Sequence, residues 1–65
     1  MNDEEKRELE YALISYRTSN ISLENRVYEF IDGKGTIENI LVSINNSKES
    51  LNKISKIIKK EDIDE

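Results

Sequence analysis

The strongest constraint on this chain is a mirror in its apolar pattern. Reading outward from Gly33-Lys34-Gly35, positions in one half are matched by positions in the other. The pairs are Phe30/Ile37, Val27/Ile40, Leu23/Ile44, Asn20/Ser47, Tyr16/Leu51, Leu13/Ile54 and Leu9/Ile58, and each pair of residue numbers sums to 67. Within each half the intervals alternate three and four, the heptad spacing of a helical seam. The single polar step is shared, because Asn20 falls opposite Ser47. Two helices folded back antiparallel would put the members of each pair in one layer. The spacing therefore predicts an all-α antiparallel helical hairpin with coiled-coil character.

Local signals set its boundaries. Asn2 or Asp3 can cap the first helix, and the acids Asp3, Glu4 and Glu5 suit the positive end of its dipole. Gly33 suits the residue just past a helix C-terminus, Gly35 adds a second permissive position, and Thr36 can cap a second helix. The expected organisation is one hairpin domain over residues 1–60, with a helix at 3–32, a Gly-Lys-Gly turn at 33–35 and a helix at 36–60. An acidic, disordered tail is expected at 61–65. At 1.5 Å per residue the helices would be about 45 Å and about 35 Å long, near enough to pair. The weak stretch is Thr18-Ser19-Asn20-Ile21-Ser22, where short polar and β-branched residues compete with the helix. A break there would give a small three-helix bundle. The heptad phase passes through these residues without a slip, which favours the hairpin.

At 65 residues the chain holds one small domain at most. A core of this size rarely supplies more than about 3–5 kcal/mol unless disulfides, a metal or association reinforce it. The sequence has no Cys and no His. That removes disulfides, thiolate metal sites, the commonest metal ligand and the commonest general acid/base. Association is the reinforcement that remains. No cofactor is expected and no enzymatic activity, since carboxylates alone do not make a catalytic cleft. No apolar run approaches the roughly 20 residues that span a bilayer, and the start is acidic where a secretory signal is basic and then apolar. A cytoplasmic location is the expectation. The abundance of Ile, Asn, Lys and Glu fits an AT-rich coding genome of bacterial or phage type.

One seam does not use all the apolar residues. Ile14, Ile21 and Tyr28 recur every seven positions beside it, Ala12 and Ile31 widen that face, and Leu41, Val42 and Ile57 widen the face of the second helix. Exposed contiguous apolar surface usually marks an interface. Ile14, Ile21, Tyr28, Ile31, Leu41 and Val42 are the candidate interface residues, and Asn20 with Ser47 is a candidate polar core layer of the kind that sets register. The expected assembly is a homodimer forming a four-helix bundle. The expected role is a non-catalytic interaction module, a homo-oligomeric regulator or adaptor that binds a larger protein.

The charged motifs have plainer readings. Lys53, Lys56 and Lys60 could contact nucleic acid in a hairpin dimer, which is the alternative function. With Lys48 and Lys59, however, they belong to the end of the second helix that lies beside the start of the first in the antiparallel register, and that start carries Asp3, Glu4, Glu5, Glu8 and Glu10, so that opposite charge helps fix chain direction. The net charge of -4 weighs the same way. A membrane-surface role for the basic end of the second helix ranks third. Gly33-Lys34-Gly35-Thr36 lacks the longer spacing and preceding strand of a phosphate loop, and reads as a turn. The tail acids lack the glycine turn of a calcium-binding loop.

Overall fold

The computed structural model describes residues 1–63, with side chains placed through residue 60. Two helices account for nearly all of it: α1, Asp3–Ile31, and α2, Ile37–Ile63. They lie side by side as a hairpin with extents of 50 × 17 × 12 Å, two helices wide and one deep. No strand occurs among the described residues.

Each boundary has an identifiable cause. At the start of α1, Asn2 Oδ1 accepts from the Glu5 backbone N–H at 2.8 Å, and the Asn2 N–H donates to Glu5 Oε1 at 3.4 Å. This reciprocal capping box satisfies N–H groups that the first turn leaves without intrahelical partners. At the other end, the Gly33 N–H donates to the Phe30 carbonyl and the Lys34 N–H to the Glu29 carbonyl, at 3.1 and 2.7 Å. Those two bonds form a Schellman motif, which requires a left-handed residue after the cap. Gly33 supplies it at φ +80°. Gly35, at φ +77°, turns the chain again beside the Glu29 side chain. Thr36 Oγ1 then accepts from the Asn39 N–H at 3.2 Å and caps α2.

α1 runs unbroken through Thr18–Ser22, so the three-helix alternative is set aside. Ser19, Asn20 and Ser22 are half-buried there, and packing against α2 outweighs their modest helix propensities. α2 continues to Ile63, three residues past the end expected at Lys60. Of the disordered tail expected at 61–65, residues 61–63 are helical, and Asp64 and Glu65 lie outside the described residues.

The hairpin register follows the mirror. In the middle layer, Ser47 Oγ donates to Asn20 Oδ1 at 3.0 Å. The rotation of the helices about their own axes differs from the expected seam. The mirrored spacing assigns Leu13, Val27, Phe30, Ile37, Leu51 and Ile58 to the interior, but all six are exposed. In the heptad frame, the a-position member of four layers is exposed while its d-position partner is half-buried: Leu13 with Ile54, Val27 with Ile40, Leu51 with Tyr16, and Ile58 with Leu9. The buried residues among those described are Ala12, Ser43 and Ser50, all at g positions. Both helices have turned toward their g edges. Small side chains there let the backbones approach, and a bulky a/d seam cannot be enclosed by only two helices. The interior is accordingly thin, with no large side chain fully buried among the described residues.

Candidate interaction surface

The rotation gives the hairpin two unlike faces. In an antiparallel pair, the g edges of both helices lie on one side and the e edges on the other. A shallow groove lined by Glu8, Tyr11, Ala12 and Ser15 of α1 and by Lys53, Lys56 and Ile57 of α2 lies on the closed face. Every one of those residues occupies a c, f or g position, so the groove itself fixes which side is which. The opposite, open face carries the a and e positions.

The exposed a positions of the open face are apolar, and its e positions are mixed, with Ile31 and Leu41 beside Glu10, Arg17, Glu24, Lys48 and Ser55. Leu13, Leu51 and Ile58 are 49%, 50% and 53% exposed, and Ile37 and Leu41 more so. Leu13 and Val27 contribute from α1, and Ile37, Leu41, Leu51 and Ile58 from α2. At the turn end, Ile31 is 70% exposed and Phe30 about half. Ile14, Ile21 and Tyr28, at b positions, form a ridge on the outer flank of α1 next to this face, and all three are exposed. Thus five of the six candidate interface residues fall on the open face or its flank. Val42 is exposed too, but its f position sets it apart on the outer side of α2.

The polar candidates fall inside. Asn20 and Ser47 are both half-buried and bonded to each other across the hairpin. A layer of this kind is satisfied only in one register, since a shift of either helix would leave an amide and a hydroxyl facing aliphatic neighbours. Lys53 and Lys56 line the closed-face groove together with Glu8, and Lys60 is exposed in the last turns of α2. The register expected for charge pairing is present, but neither lysine reaches Glu8 within ion-pair distance. The side-chain ion pair among the described residues lies within α1, between Arg26 and Glu29 at 3.2 Å. Both of its members are substantially exposed, so it contributes little to stability. The lysine heads stay in water, where hydration competes with a distant carboxylate.

Among the described residues, no group of His, Cys, Asp or Glu is placed to hold a metal ion. None of the described helices is long and apolar enough to cross a membrane. No family model, curated protein or solved structure matches the chain.

The open-face residues Leu13, Val27, Ile37, Leu51 and Ile58 are the ones that heptad reasoning assigned to the seam instead. The signal that locates them was present in the sequence as a second stripe: Ala12 and Ser19 on α1, and Ser43 and Ser50 on α2, each pair spaced by seven. Small residues at that interval mark the line along which two helices can come closest.

Proposed function

We propose that this chain is a non-catalytic protein-interaction module, a homo-oligomeric regulator or adaptor that binds a larger protein in the cytoplasm. One observation carries the reading: many bulky aliphatic and aromatic side chains are exposed and the rest of those described are only half-buried, while the buried residues among the described ones are one alanine and two serines. A small acidic chain gains little from keeping Leu13, Ile21, Tyr28, Ile31 and Leu41 in water, and surface of this kind is ordinarily covered by another protein. Rigid helices also present anchors at fixed spacing, the mode by which a helical face is read by a groove or by another helix.

Nucleic acid draws less support. The groove that holds Lys53 and Lys56 also holds Glu8, and the chain carries a net charge of -4. The two readings separate in one set of measurements. Purified chain should associate with itself or with a protein partner, and Ile21→Glu with Tyr28→Glu should weaken partner capture while Lys53→Glu with Lys56→Glu should not. A chain that stays monomeric at about 100 µM and retains no protein would overturn the proposal. A salt-sensitive gel shift abolished by the lysine variants would establish the alternative.

A further inference from the structure

We infer that the open face is the seat of a second copy of this chain, with the a-position residues of both hairpins forming a shared core. The inference rests on the interaction-module reading and specifies which surface does what within it.

The first support is the area. The chain exposes 5362 Å². A compact monomer of 7.6 kDa would expose about 4,300 Å². The excess, about 1,000 Å², is close to the roughly 800 Å² that each partner buries in a stable protein interface. The surplus is thus about what one dimer contact per hairpin would remove.

The second support is the rotation of the helices. In a four-helix bundle each helix touches two neighbours, one across each flank, and points its a and d positions at the centre. Here each helix has turned its g flank to its neighbour in the same chain. Most of the e flank and five of the a positions, Leu13, Val27, Ile37, Leu51 and Ile58, are left open on one side, while Asn20 and Ile44 are half-buried. Two such hairpins laid face to face complete the square, with Leu13, Val27, Ile37, Leu51 and Ile58 of each in the middle. A hairpin one helix deep has no second layer of its own, and domains are stable when an apolar layer is covered by another. A second copy covers it with the same face, apolar at its exposed a positions and charged at Glu10, Arg17, Glu24 and Lys48 along its flank, as a two-fold interface demands. The closed-face groove remains outside this contact, and the ridge of Ile14, Ile21 and Tyr28 remains on the bundle's outer flank for a different partner.

The residues on the open face are exposed in the single hairpin, so polar substitutions there disturb the dimer more than the fold. Sedimentation equilibrium and light scattering on the full chain, from about 5 to about 500 µM, give the mass directly. The wild type should reach twice 7.6 kDa, and its melting temperature should rise with concentration. Leu13→Gln with Leu51→Gln should run as a helical monomer. Tyr11→Gln, on the closed face, should dimerise as the wild type does. If the double variant loses its helicity, Leu41→Gln alone decides the matter, with an expected dissociation constant raised about tenfold or more. A wild type that stays monomeric throughout overturns the inference and leaves partner binding standing. A dimer broken by Tyr11→Gln, or untouched by the open-face changes, refutes the choice of face while leaving self-association intact.

Discussion

Ser50 offers the sharpest test of how the helices are rotated. It sits at a g position, on the edge both helices turn toward each other, and is 7% exposed. Ser50→Leu places an isobutyl group where the backbones leave room for a hydroxymethyl. The helices must then separate or the side chain must leave its rotamer, and overpacking of this kind costs about 1–3 kcal/mol. Against a monomer stability of about 3–5 kcal/mol, a loss near 2 kcal/mol takes away about half. For a domain this small, that corresponds to a fall of roughly 8–16 °C in Tm, or about 2 M in urea midpoint. The control is Ser50→Ala, which keeps the close approach and gains slightly in helix propensity, so it should match or modestly exceed the wild type. Far-UV circular dichroism followed through urea and thermal unfolding reads both. Ser50 lies away from the open face, so at one matched protein concentration dimerisation adds equally to the three proteins. If Ser50→Leu were as stable as the wild type or more so, position 50 would flank an ordinary a/d seam, and both the rotation and the open face would be wrong.

Two further outcomes follow from named contacts. Asn20→Ala and Ser47→Ala should each destabilise the hairpin, and the double variant should show a coupling of about 0.5–1.5 kcal/mol, since the Ser47 Oγ to Asn20 Oδ1 bond is lost once rather than twice; strict additivity in a double-mutant cycle would mean that the two do not bond in solution. Gly33→Ala places a Cβ on a residue at φ +80° that the Schellman motif requires, so it should cost about 1–2 kcal/mol although no neighbouring atom lies within 4 Å of that Cβ; an unchanged melting curve would show that the turn is not held in this conformation.

The sequence alone determined the all-helical class and favoured two helices in the mirrored register, and the structure removed the alternative of a break at 18–22. Those follow from near-neighbour chemistry. Asn2 and Glu5 close the first helix, Gly33 supplies the left-handed residue that ends it, and Thr36 opens the second. The mirror about Gly33-Lys34-Gly35 then fixes which layers meet, as the Asn20–Ser47 bond shows. The heptad pattern by itself did not rank the bulky apolar stripe against the stripe of small residues beside it. A heptad pattern identifies residues that would gain from burial, and it carries no information about how many other helices are present to bury them. With only two helices in the hairpin, the contact moved to the stripe where Ala12, Ser43 and Ser50 permit close approach, and Leu13, Val27, Ile37, Leu51 and Ile58 at a positions were left outside. Only the tertiary structure decided that exchange, because it depends on the distance between two backbones. The same distance turned Leu13, Leu51 and Ile58 from interior residues into the surface on which the proposed function rests.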